Sequence, residues 1–279
     1  MIKDQPGRNE NSKPLWITKR ERDQEKYCRY EKLISDTYKK HELIIFFDNA
    51  PSTKDIDTVK ESFREYGIDP KAIGVKRCDN CNIPVLLFQA NNIHTVISGD
   101  GVRAGSGPPS TTVGEKYSLN FFNQTPFDRK EGAQYRGSKA DISQRKENIV
   151  VAVLDTGLDT KLVDPHYVWN GTPKYADPVC YKNVTTGWNF VNDTADFTDD
   201  NPNRHGSIVS QYIINQFQKS PENNVQIMPL KTHDKDGVGE LFGIICAIHF
   251  AIAKGANIIN ASWGFYYYFE QPIPYLKKL

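Results

Sequence analysis

Hydrophobic and polar positions along the C-terminal half follow two alternating patterns. NIVVAVLD (148–155), VQIMPLK and ANIINASWG are nearly continuous apolar runs, the pattern of strands buried on both faces of a parallel sheet. Between them the period becomes helical. HGSIVSQYIINQF places Ile208, Val209, Tyr212, Ile213 and Phe217 on one face. GELFGIICAIHFAIAKG does so with Leu241, Ile244, Ile245, Ile248 and Ile252, and Gly255 supplies the stop. Strand–helix–strand–helix–strand predicts an α/β fold, a parallel sheet flanked by helices.

The N-terminal half reads differently. Tyr27, Tyr30, Leu33, Ile34 and Tyr38 recur at helical spacing and predict a charged helix from about Thr18 to Lys40. Residues 41–105 read as a small α/β module. Its first strand is Leu43–Phe47, and its helix is capped by Thr53 or Asp55 and ended by Gly67. Two further strands, Ile73–Arg77 and Ile83–Gln89, form a hairpin around Cys78-Asp79-Asn80-Cys81. Residues 106–147, rich in Gly, Ser, Pro and Thr at their start, read as linker. The expected organisation is therefore a charged segment over 1–40, the module over 41–105, the linker, and an α/β domain over 148–279.

Composition narrows the classes of function. With 35 basic and 34 acidic side chains among 279 residues, the chain has no global field to attract nucleic acid or an anionic membrane. The 11 Lys/Arg and 7 Asp/Glu of residues 1–40 contain no basic run of five, so a nucleic-acid arm is not expected. No apolar stretch approaches the length of a membrane span. The N-terminus shows no apolar signal region, so the sequence alone reads as cytoplasmic. Five cysteines, an odd number, argue against a disulfide framework. Cys78-x-x-Cys81 lacks a second ligand pair for zinc and reads as a hairpin turn. Asp234-x-Asp236 resembles a calcium-loop opening, but Ile245 stands where the loop needs Glu. His41, His94, His166, His233 and His249 read as surface or capping residues.

Chemistry concentrates at two positions. In open parallel sheets, functional groups gather beyond the C-terminal ends of the strands. Asp155 ends the first strand and is followed by a turn containing Gly157. His205 opens the first helix with Gly206 beside it, which leaves the imidazole approachable. A buried carboxylate can fix the tautomer of such a histidine and stabilise its protonated form during proton transfer.

VAVLDTGLD, HGSIVSQYI, VQIMPLK–DKDGVGEL and AIHFAIAKGANIINASWG, in that order, closely resemble the subtilisin-like serine proteases, over about residues 148–265. The resemblance implies that Asp155 is the triad aspartate and His205 the general base. It implies that Gly237 lies on the edge that pairs with an extended substrate, and that Ser262, Trp263 and Gly264 form a wall of the substrate pocket. It implies peptide or protein substrates and no required cofactor. Structural calcium is a family trait, with Asp159 and Asp164 among the acidic candidates and no site singled out. Most of the family is secreted. Residues 41–105 stand where subtilases often carry a propeptide, a small α/β inhibitor and folding chaperone.

The departures carry equal weight. His-Gly-Ser replaces the usual His-Gly-Thr, and 49 residues separate Asp155 from His205. After His205 the serines are Ser207, Ser210, Ser220 and Ser262, and none stands in the family's Gly-Thr-Ser turn. The oxyanion Asn is missing too. The expectation is a C-terminally truncated serine endopeptidase, inactive as residues 1–279. The alternative is a catalytically inactive peptide-binding module.

Overall fold

The computed structural model describes residues 38–79, 81–98, 111–126, 147–171, 180–219 and 223–265. The helix expected from Thr18 lies outside these residues up to position 37. Its last residues, from Tyr38, belong instead to a strand, β1 (Tyr38–Phe46). Tyr38 is drawn into extended geometry by pairing with Phe121, across a bulge that separates it from the register at Leu43.

Helix α1 (Thr53–Ser62) follows. Its N-cap is Ser52, with Asp55 completing a capping box in which Ser52 and Asp55 each satisfy the other's backbone N–H. Neither Thr53 nor Asp55 is the cap itself. A 3-10 turn, Phe63–Tyr66, continues to Gly67, which takes φ +77° and ends the helical path. Strands β2 (Gly74–Lys76) and β3 (Val85–Gln89) form the expected antiparallel hairpin, and α2 (Thr95–Ser98) is a single turn.

The stretch read as linker contains β4 (Lys116–Gln124), a nine-residue strand. Its alternating pattern was hidden by the aromatic and polar residues of KYSLNFFNQ. Only its partners make it a strand: β1 on one side and β8 (Val238–Glu240) on the other, both antiparallel. The resulting sheet has the order β2-β3-β1-β4-β8.

The second sheet is parallel, as the apolar runs predict. Its order is β6-β7-β5-β9, from β6 (Trp188–Asn189), β7 (Asn223–Lys231), β5 (Glu147–Asp155) and β9 (Ile258–Ala261). β5 pairs with β7 along its whole length, so Asp155 stands opposite Lys231. Alternate residues serve opposite faces. Val151, Val153, Val225 and Ile227 share a core with Val209 and Ile214 of helix α3 (His205–Gln218). Ala152, Leu154, Met228 and Leu230 share another with helix α4 (Leu241–Ala253). Each large side chain fully buried there contributes about 1.5–3 kcal/mol.

The buried helix faces are rotated from those the period alone predicts. On α3, Ser207, Ser210 and Ile214 are buried while Tyr212 is exposed, and on α4 Ile252 is 57% exposed. Close packing of α3 onto the turn after Asp155 brings small polar residues inward, as described below.

The antiparallel sheet is also covered on both faces. Leu43, Ile45, Leu86 and Phe88 pack with Ile56 and Val59 of α1. Ile44, Phe46, Val85 and Leu87 join the core that contains α4. The N-terminal strands and the parallel sheet therefore share one apolar layer, and residues from Tyr38 onward form one compact unit.

Two disulfides cross this layer, contrary to the reading of the cysteines. Cys78 is bonded to Cys246 on α4, and Cys81 to Cys180. Both cysteines of the turn are buried, and their partners lie 168 and 99 residues further along the chain. No local spacing rule can reveal pairs so distant. The fifth cysteine, Cys28, lies outside the described residues.

Candidate functional site

Asp155 sits at the end of the central strand, fully buried. The chain must turn away from the sheet immediately afterwards. Gly157 permits this with φ +115°, a conformation L side chains rarely adopt, and its position leaves no room for a Cβ beside the Phe197 carbonyl. Helix α3 then approaches the turn closely. A Cβ on Gly206 would lie 2.4 Å from the Gly157 carbonyl oxygen and 3.1 Å from the Asp155 Cβ. The absence of a side chain at 206 is what allows the start of the helix to reach the strand end.

That approach brings His205 Nδ1 to 2.7 Å from Asp155 Oδ1, with the imidazole mostly buried and the carboxylate wholly so. With the carboxylate ionised, the ring donates Nδ1–H to it, leaving Nε2 as the atom able to accept a proton. The same Oδ1 accepts the Thr156 backbone N–H at 2.7 Å, while Oδ2 is buried without a partner.

A second carboxylate, which sequence reasoning missed, organises the surroundings. Asp199 is fully buried. Its Oδ2 accepts from the Ser207 backbone N–H at 3.0 Å and from Ser207 Oγ at 2.6 Å. Its Oδ1 accepts from Thr156 Oγ1 and the Asn201 N–H. Thr156 Oγ1 accepts in turn from the Gly206 N–H at 3.0 Å. Asp199 thus satisfies the Ser207 backbone donor of the first turn of α3, which has no intrahelical partner, and with Thr156 binds that turn to the strand end. Ser207 supplies the hydroxyl this needs. Lys231, opposite Asp155, donates to the Thr156 carbonyl and pairs with Asp200 at 2.7 Å. Asp199 was invisible in a loop crowded with Asp and Asn, where nothing local distinguishes a buried carboxylate from a turn residue.

Gly237, Ser262, Trp263 and Gly264 lie on two edges that flank one extended segment, the end of β4. The Thr125 N–H donates to the Gly237 carbonyl at 2.9 Å. Gln124 and Gly264 exchange N–H···O bonds in both directions at 3.0 Å. Gly237, at φ +77°, has no room for a Cβ beside Thr125 Oγ1. Ser262 Oγ accepts from Asn260 Nδ2 at 2.9 Å. Trp263 turns its ring toward His233, with centroids 5.7 Å apart.

Two histidines read as surface or capping residues are buried: His94, with Nδ1 2.8 Å from the Lys40 carbonyl oxygen, and His233. His233 is completely buried, and its pKa is pushed down to about 3, first by desolvation and then by the neighbouring His205 and Lys231. Of the remaining histidines, His166 lies beside a turn in which Asp164 Oδ1 caps its backbone N–H.

The acidic candidates for calcium do not converge. Asp159 bonds the Lys161 N–H and approaches Arg204, while Asp164 caps its own turn. Among the described residues no three His, Cys, Asp or Glu gather into a cation site. Asp234 Oδ1 accepts the Asp236 and Val238 N–H groups, which makes that segment a tight turn.

An aspartate at the end of a parallel strand and a histidine held by it at a helix start thus stand beside two edges that flank an extended segment. The family model described as the subtilase family, Peptidase_S8, matches residues 146–272, so this part of the chain is subtilisin-like in sequence as in fold. No curated protein matches the chain.

Proposed function

We propose that residues 146–272 carry the Asp–His half of a subtilase-type serine endopeptidase site. The observation that supports this most directly is the 2.7 Å contact between His205 Nδ1 and Asp155 Oδ1 beside two peptide-pairing edges. In the complete triad, His205 Nε2 takes the proton of a serine hydroxyl as the oxygen attacks the peptide carbonyl. Asp155 holds the tautomer and stabilises the imidazolium. The proton then passes to the leaving amine, and water releases the acyl-enzyme by the same route. The serine and its oxyanion donors are not among residues 1–279, and these residues by themselves are expected to be inactive.

The N-terminal module fits the role of an intramolecular inhibitor, because β4 extends from it directly between the Gly237 and Gly264 edges. This position is the one an extended substrate would take by strand addition. The two disulfides favour an oxidising compartment over the cytoplasm.

Sequencing the coding DNA past the Leu279 codon tests the proposal. A downstream Gly-Thr-Ser segment supports it, and a stop codon at position 280 overturns it in favour of an inactive peptide-binding module. That second reading has its own observation: the two edges hold β4 through backbone hydrogen bonds that do not involve Asp155 or His205. A serine-directed fluorophosphonate is expected to leave residues 1–279 unlabelled.

A further inference from the structure

The edges flanking β4 hold it through its backbone. One side chain of the strand, however, meets a polar group that is itself fully buried. Asn123 pairs with Gly239 in the β4–β8 ladder, one residue before the Gln124–Gly264 contact. Its Oδ1 lies 2.6 Å from His233 Nε2, and His233 Nδ1 lies 2.9 Å from Thr232 Oγ1. An amide oxygen can only accept, so Nε2 carries the proton, Nδ1 is the acceptor, and the Thr232 hydroxyl donates to it. The tautomer is therefore set from the far side of the ring, and a single N–H points at the strand. Trp263 closes the other side.

The space is shaped for a short side chain. A Cβ on Gly239 would lie 2.9 Å from both Asn123 Oδ1 and His233 Cδ2. Asn123 and His233 are both wholly buried, so no water can replace the bond between them. A side chain of similar shape but without an acceptor leaves a buried N–H unpaired, and such a site discriminates more sharply than an apolar one.

We propose that His233 is a specificity-determining residue: it selects, in an extended peptide held by the Gly237 and Gly264 edges, a short side chain with a carbonyl acceptor immediately before the residue paired with Gly264. Asparagine 123 is the chain's own instance of that side chain. This inference rests on the reading of the two edges as a peptide-binding cleft.

The test uses the full chain with Asn123→Leu, His233→Leu and the double variant, followed by amide hydrogen exchange. The amides of Gln124 and Thr125 report strand docking, and those of β5 and β7 report whether the fold is intact. Asn123→Leu and His233→Leu are each expected to lower protection at 124 and 125 by roughly ten- to a hundredfold. The double variant, in which both polar partners become apolar, is expected to return to within about threefold of the parent. If single variants keep parental protection at these amides while the parent is protected, selection by His233 is wrong and the cleft reading stands. A double variant no better than the singles with β5 and β7 still protected also overturns it. If the parent itself shows no protection at Gln124 and Thr125, the cleft reading fails and the inference falls with it. A labelled hexapeptide Phe-Phe-Asn-Gln-Thr-Pro added to the Asn123→Leu chain is expected to bind at least tenfold more tightly than its Leu counterpart, and equal affinities would refute the selection.

Discussion

Gln124 and Gly264 exchange both of their backbone hydrogen bonds, at 3.0 Å in each direction, so that a strand of the N-terminal module is held by the last described edge of the parallel-sheet domain. The contact requires a donor at 124. Gln124→Pro removes it and adds a ring in a ladder paired on both sides, a position proline does not occupy in sheets. The expected result is loss of exchange protection at Thr125 and Gly264 with β5 unaffected. Equal loss throughout β5 would show that the strand is integral to the fold and not a docked segment.

The disulfides make a separable demand. Because Cys78 and Cys81 bond to Cys246 and Cys180, a cut between positions 126 and 147 should not free the N-terminal module. A chain cleaved at a protease site inserted there is expected to run as one species on a non-reducing gel and as two after reduction. Removing one bridge by Cys78→Ala with Cys246→Ala is expected to destabilise the chain by about 2–5 kcal/mol, read from its urea unfolding midpoint.

Asp199 should matter more than its distance from the proton-transfer pair suggests. Asp199→Asn turns a four-fold acceptor into a group with two donors facing donors. The expected loss is about 2–4 kcal/mol, in the range for breaking charged, buried hydrogen bonds. Ser207→Ala removes one of those bonds and should cost about 1–2 kcal/mol, whereas Ser207→Thr keeps the hydroxyl and should be nearly neutral. Chemical denaturation distinguishes the three.

Gly206 sets the distance between helix and strand. Gly206→Ala places a methyl against the Gly157 carbonyl, a backbone atom that cannot swing aside. Overpacking of this kind costs about 1–3 kcal/mol. The low-field proton resonance expected for the His205 Nδ1–H should weaken or vanish in this variant, since α3 must retreat from Asp155. An unchanged resonance would show that the turn yields instead.

Stability should fall with acidity through His233. The folded chain holds this imidazole neutral down to about pH 3, whereas its unperturbed value is 6.5. Above 6.5 neither state is protonated and the contribution is fully present. As pH falls from there toward 3, the unfolded chain binds the proton and the folded one does not, so stability declines across that window. His249, also lowered by burial, acts in the same direction. His233→Gln should flatten the dependence of the unfolding midpoint between pH 7 and 4, and an unchanged slope would assign the effect elsewhere.

Much of the parallel domain was determined by the sequence itself. β5, β7, β9 and the two helices follow from apolar runs and helical periods, because a doubly buried strand must be apolar throughout and a helix needs a stripe. The placement of Asp155 and His205 followed from the rule that strand ends and helix starts meet above such a sheet. Other features were decided only in three dimensions. β4 is a strand because β1 and β8 supply partners on both sides, and the short alternation in KYSLNFFNQ does not by itself announce one. The disulfides join turns and helices brought together by a shared core, with no local spacing to announce them. Asp199 and His233 owe their roles to burial: a carboxylate and an imidazole acquire direction only when desolvation leaves one set of partners within reach, and burial is set by the whole fold.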